Sequence, residues 1–458
     1  MGVVRAPDAA GVAEIRGILG RRAAALLRRD RSGFLSSVDP RVTGFRARQE
    51  RIFTNLATVP LATWSYALVG EGAPSAPRAT ASPPGPAPQT PGVTPTTPAP
   101  ATTPASAATR RPATAPVPAT APPRSASAGA VAAPPPAGAA APLPAGAARR
   151  YGAQVWAAET TLTYSFTGMT GRPSVVRQYL TYVRRDGRWY VGGDDDLAAQ
   201  GQATTRDPWD FGTVAVLRSA QGLVLGDPAE MARLTEVRNA VDSVAPQVRA
   251  VWPEWPGSAI VVVARSDREA AAMVPGVGDL SQTAAVTAGE LGHPAGERVV
   301  VNPVPFRGLP AAARSAVLGH ELTHVATARV TSASTPLWLS EGFADYVANR
   351  GRADPPPQIA RELAAAVRSG RVPELLPGEG DFDPSGPRLS EAYDGSWLAC
   401  RLVADRVGVD GLVRLYRIVS ADPGDPDSAA DAGLRSVLGL STEQFTALWR
   451  SYLRRQLA

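Results

Sequence analysis

Between Gly72 and Ala148 the chain carries 21 Pro, a single Leu (Leu143) and no Phe, Tyr or Trp in 77 residues. No other feature constrains the fold as much, because such a stretch lacks the apolar surface to offset the entropy of ordering it. It is expected to be a disordered, polyproline-like insertion, rich in the Thr and Ser that suit O-glycosylation of an exported protein. The folded parts must come from what flanks it.

The same segment explains the charge. The net charge is +6, and Arg78, Arg110, Arg111 and Arg124 supply +4 of it within a stretch that has no acidic residue. The remainder is close to neutral, with no Arg-rich run interleaved with aromatics, which argues against nucleic-acid binding. All 47 basic residues are Arg, as codon usage in a GC-rich genome would give. The lone Cys400 excludes an intramolecular disulfide and a thiolate metal site, and it is read as a buried apolar residue of its helix. No apolar run reaches 18 residues, so no membrane span is expected. The start, MGVVRAPDAA, has no signal-peptide core, and Ala6 breaks the myristoylation pattern. Compartment is left open. Export or anchoring is expected if the true start lies upstream.

On either side of the insertion the patterns are regular. Ile15–Leu27 has helical spacing, a second helix is expected near Phe45–Asn55, and Thr63–Val69 alternates as a strand. Downstream, Val155–Phe166, Val175–Val183 and Trp189–Val191 are expected strands, with Asp186-Gly187 a tight hairpin signal. Helices followed by an antiparallel meander, with the hairpin Asp186-Gly-Arg-Trp-Tyr-Val191, resemble a nuclear-transport-factor-2-like (SnoaL-like) cone domain. The resemblance places one split domain at 1–71 and 149–210, with 72–148 inserted in it.

From about Thr213 the pattern changes. A short hairpin (Thr213–Leu217 and Gly222–Leu225) precedes a long helix, Pro228–Ala250. Strands are expected at Ser258–Ala264, Ala284–Ala288 and Arg298–Asn302. Helices follow at Leu309–Val330 and Trp338–Asn349 and fill most of the remainder. Strands first and helices after make an α+β domain over 211–458.

Within the Leu309–Val330 helix stands His320-Glu321-Leu322-Thr323-His324. Two His at i and i+4 project from one helix face, so their imidazoles converge on one tetrahedral metal. Glu321, one position away, is placed to take a proton from water beside that metal. Two of the chain's three His are used in this way. Fourteen residues after His324 comes Trp338-Leu-Ser-Glu341-Gly-Phe-Ala-Asp345-Tyr346. Its two carboxylates share a helix face otherwise lined by apolar residues, where a carboxylate needs a partner. Glu341 is the expected third ligand, which leaves one position open as catalytic zinc requires. Asp345 is placed to accept the far ring N–H of a ligand His.

These segments resemble the gluzincin metallopeptidases of the MA clan, in particular the peptidase-MA-like group related to thermolysin and the aminopeptidase N family. The resemblance implies a thermolysin-like catalytic domain, a small sheet plus a helical bundle, acting on a peptide or protein substrate. It makes His320, His324 and Glu341 zinc ligands, Glu321 the general base and Asp345 an outer carboxylate. Ser340 stands where relatives often have Asn. No His follows His324, so the oxyanion donor is expected from a Tyr, as in the aminopeptidase branch. Leu389-Ser-Glu-Ala-Tyr393-Asp-Gly-Ser-Trp397 resembles that Tyr segment, with a helix expected to open after Gly395, and Tyr346 is the second choice. Val286-Thr-Ala-Gly-Glu290 faintly echoes the exopeptidase motif. His293 is expected on a surface loop. Asp194-Asp-Asp196 lacks the Gly and Glu of a calcium loop and is expected to end a strand. Trp449 and Tyr452 are expected core anchors. Two functions follow: zinc-dependent peptide-bond hydrolysis, or a catalytically inactive zinc-stabilised scaffold.

Overall fold

The computed structural model describes residues 3–69, 143–144, 146–277, 279–288, 296–383 and 386–458. Residues 72–142, most of the expected insertion, lie outside the described residues, as do Glu290 and His293.

The first half runs β1 (Val3–Val4), α1 (Ala9–Leu27), α2 (Arg31–Leu35), α3 (Thr43–Asn55), β2 (Leu61–Leu68), α4 (Ala147–Tyr151), β3 (Gln154–Phe166), β4 (Ser174–Arg185) and β5 (Arg188–Gly193). Asp8 and Asp30 start the first two helices by accepting from the Gly11 and Gly33 amides, which satisfies donors that a helix start leaves free. β3 is the centre of the first sheet. It pairs antiparallel with β2 and β4 and parallel with β1. Register shifts beside Leu61 and Thr181 mark bulges, which add twist. The β4–β5 hairpin turns on Asp186 and Gly187, both at positive φ (48° and 81°), the geometry that matches strand twist. α1 lays Ile15, Ile18 and Leu19 against Tyr182, Trp189 and Val191. Leu143, Ala147 and Ala148 are buried in a smaller cluster with Tyr151, Val155 and Tyr179.

The second half runs α5 (Pro208–Phe211), β6 (Ala215–Ser219), β7 (Gly222–Gly226), α6 (Met231–Val251), β8 (Ala259–Val263), α7 (Asp267–Met273), β9 (Ala285–Ala288) and β10 (Arg298–Val301). Helices follow: α8 (Pro303–Gly308), α9 (Ala311–Thr327), α10 (Leu337–Asn349), α11 (Pro356–Ile359), α12 (Arg361–Arg368), α13 (Leu389–Ala421), α14 (Pro426–Leu438) and α15 (Thr442–Leu457). The whole is α+β. The second sheet has the order β6-β7-β8-β10-β9, with β8 parallel to both neighbours and β9 an antiparallel edge.

All five residues of β8 are buried, because this sheet is covered on both faces. Ala259, Val261 and Val263 meet the helical layer of α6 and α9. Ile260 and Val262 share a core with Trp64, Leu162 and Tyr164 of the first sheet. The expected domain boundary near 210 therefore crosses a shared apolar core.

Two expected helices differ in extent. The helix expected over Leu309–Val330 is shorter at both ends: α9 runs from Ala311 to Thr327, with Pro310 at its N-cap. The helix expected after Gly395 begins at Leu389, so Tyr393 lies within it. Gly395 is tolerated there because Trp449 packs on it: a Cβ would sit 3.1 Å from the ring, and Trp449 Nε1 donates to the Gly395 carbonyl. A closer approach joins α10 to α13. A Cβ on Gly342 would lie 2.3 Å from the Ser396 carbonyl oxygen, so only glycine permits that spacing. Among the described residues, no helix is long and apolar enough to cross a membrane.

Candidate metal centre

Helical periodicity does the first part of the assembly. α9 turns His320 and His324 to one side, and α10, packed across it, brings Glu341 to meet them. The three ligand atoms lie within 4.8 Å of one another. His320 Nε2 and His324 Nε2 are 3.0 Å apart, and Glu341 Oε2 is 3.2 Å from the first and 3.6 Å from the second. A tetrahedral zinc with bonds of about 2.0–2.1 Å needs its ligand atoms about 3.3 Å apart.

Asp345 decides what faces inward. Its Oδ1 is 2.8 Å from His320 Nδ1, so that ring nitrogen is the donor and Nε2 presents a lone pair. Lone pairs from two sides and a carboxylate then converge in a buried space, with Glu341 1% exposed. Such an arrangement is unfavourable without a cation between the groups. The residues present fit zinc: nitrogen and oxygen donors, three protein ligands, and room for a fourth.

Without a metal the same charges act on a proton in its place. Burial opposes the charge of Glu341, but His324 and His320 outweigh it and hold its carboxyl well below the ordinary range. Burial likewise opposes a His320 cation, and Asp345 and Glu341 override it, raising that imidazole above its usual value. Glu321 moves the other way: burial dominates and raises its carboxyl. Glu321 is fully buried, yet its Oε1 has no hydrogen-bond partner among the described residues. Its Oε2 accepts from Thr287 Oγ1 at 2.6 Å.

The other sequence-selected residues are placed as follows. Tyr393 is buried with its ring 6.3 Å from that of His320 and 5.4 Å from that of Phe382. Tyr346 faces Arg350 and Asp405 instead. Ser340 is buried and reaches the Tyr416 hydroxyl. Asp194 pairs with Arg48 and Arg206, and Asp196 with Arg150, Tyr151 and Thr181, so this acidic run is neutralised by the protein itself. Cys400 is fully buried, Trp449 is a core residue, and the Tyr452 hydroxyl donates to Asp405 at 2.6 Å. Thr287 stood within the segment that faintly echoes the exopeptidase motif and in an expected strand, but neither signal pointed to its bond with Glu321.

No protein-family model matches the chain, and no curated protein is significantly similar to it. Among solved structures, the chain is similar to a two-domain M1 zinc metallopeptidase, a point mutant bound to L-arginine. The identity is 14% over 59% of this chain and 58% of that one, with a TM-score of 0.32. It is also similar to an M1 zinc metallopeptidase from Deinococcus radiodurans, at 14% identity over 65% of this chain and 62% of that one, with a TM-score of 0.30. The match thus spans only about three fifths of those structures' length. At such distances the chemistry of the site must carry the function.

Proposed function

We propose that the chain is a zinc-dependent peptidase that hydrolyses peptide bonds in a peptide or protein substrate. The observation that supports this most is the convergence of His320, His324 and Glu341 around a space flanked by Glu321, a buried carboxylate with one uncommitted oxygen. Held by those three ligands, zinc would supply Lewis acidity for the scissile carbonyl and for water.

The remaining work falls to the chain. Glu321, its carboxyl raised by burial, takes the proton of the attacking water and returns it to the departing amine. Asp345 fixes the ring of His320 and its tautomer. Tyr393, packed beside His320, is the hydroxyl assigned to the developing oxyanion. On this reading 211–458 carries the chemistry, while the part formed by 1–71 and 149–210 supports the far face of the second sheet.

The test pairs zinc content with cleavage of unstructured peptides by wild type and Glu321→Gln. Stoichiometric zinc in both proteins, with cleavage only in wild type, is the expected result. Equal cleavage, or none in either, would instead leave a zinc-stabilised scaffold.

A further inference from the structure

The two oxygens of Glu321 are held differently. Oε2 receives a hydrogen bond from Thr287 Oγ1, and Oε1 has no hydrogen-bond partner among the described residues. Thr287 lies on β9, the edge strand of the second sheet. Pleat alternation sends Val286 into the core shared with the first sheet and Ala285 toward the helices, so Thr287 also points at α9. Its hydroxyl has one proton and two acceptors in reach, the Glu321 carboxylate at 2.6 Å and the Glu321 carbonyl at 3.1 Å. The shorter contact, to a carboxylate, is the stronger one.

Position 287 is buried and in a strand, where Val would be the ordinary choice. A hydroxyl there is costly unless it is bonded. Its χ1 is stiff because the residue is β-branched, and the strand backbone is fixed by pairing with β10 through Thr287↔Val299. A rigid donor therefore meets a long, flexible glutamate side chain at one oxygen only.

We propose that Thr287 is the positioning residue of the general base: its hydroxyl holds Glu321 Oε2 and so leaves Oε1 as the oxygen that exchanges the proton. The proposal rests on the peptidase reading of the same site. It ties the base to the edge strand, 34 residues away in sequence, rather than to its own helix.

Thr287→Val, close to isosteric, and Thr287→Ser separate hydroxyl from methyl. Crystal structures of the zinc-loaded variants, zinc affinity, and kcat and KM on an unstructured peptide form the readout. In Thr287→Val, Glu321 should leave its conformer, and kcat should fall about 10- to 100-fold, the usual cost of an outer partner, with KM and zinc affinity unchanged. Thr287→Ser should keep the Glu321 conformer and most of kcat. An unmoved Glu321 in Thr287→Val overturns the proposal, as does a Ser variant as impaired as Val. If wild type itself does not cleave, the peptidase reading fails, and the Glu321 conformer in Thr287→Val still decides the positioning.

Discussion

Two buried polar clusters in this molecule use similar groups and end in opposite states. In one, Arg298 of β10 donates to the Tyr164 hydroxyl, to the Asp207 carboxylate and to the Met273 carbonyl, while Tyr164 donates to Asp207 at 2.8 Å. Burial opposes the Arg298 cation, but Asp207 outweighs it and keeps the guanidinium firmly charged. Donors there meet acceptors, and the cluster closes on itself between the two sheets. In the other, His320, His324 and Glu341 aim acceptors at one another, and Glu321 keeps an oxygen free. A closed cluster is structure. A convergent one is a site, because only something from outside can satisfy it.

The largest effect should come from breaking the convergent set. Glu341→Gln removes the anionic member of the proposed ligand set, and the protein should lose stoichiometric zinc together with any zinc-dependent rise in melting temperature. Titration of the metal-free protein with zinc, followed by thermal melting, checks both. Full zinc retention in the variant would erase the contrast between the clusters. Arg298→Met, by contrast, should cost about 3–5 kcal/mol, since it strands the buried Asp207 charge, and should leave zinc stoichiometry intact. Urea unfolding measures the first and metal analysis the second. A neutral result would mean that water reaches the shared core.

How much of this was legible beforehand depends on sequence separation. The His320–His324 pair is set by helix geometry alone, and Glu341 with Asp345 by a second helix close behind, so four residues carry their own address. The strands on both sides of the insertion were visible from alternation. What alternation does not encode is pairing partner or direction: the parallel neighbours of β8 and the edge position of β9 arise from long-range assembly. Thr287 was illegible for the same reason. Nothing local distinguishes a Thr that bonds a carboxylate from one that only suits a strand. The early start of α13 was missed because Gly395 looked like a boundary, whereas Trp449, brought in by the last helix, makes it a packing position.

A finer break tests whether the convergent set needs its outer support. Asp345→Asn keeps the shape of the carboxylate but removes the charge facing His320 Nδ1. Zinc affinity should fall about 10- to 100-fold, roughly 1.4–2.8 kcal/mol. Competition with a chelator gives the affinity. If it is unchanged, the tautomer of His320 is fixed by the metal alone.

The smallest effect concerns a carboxylate that is neither closed nor convergent. Glu297 stands next to Arg298 in the chain, just before β10 begins. Burial opposes its charge, Arg172 and Arg329 favour it without prevailing, and its pKa rises from 4.5 to about 7. Between those values the folded protein binds a proton that the unfolded chain has released, so stability must fall as pH rises through the window. The penalty is absent below about pH 4.5 and complete above about pH 7. Because the side chain is partly exposed, it should amount to on the order of 1 kcal/mol. Unfolding of wild type and Glu297→Gln across pH 4.5–8 isolates the contribution, because the amide removes the slope but not the side-chain volume. Parallel profiles would mean that Glu297 finds a partner as good as the one Arg298 has, and that burial alone does not separate the two neighbours.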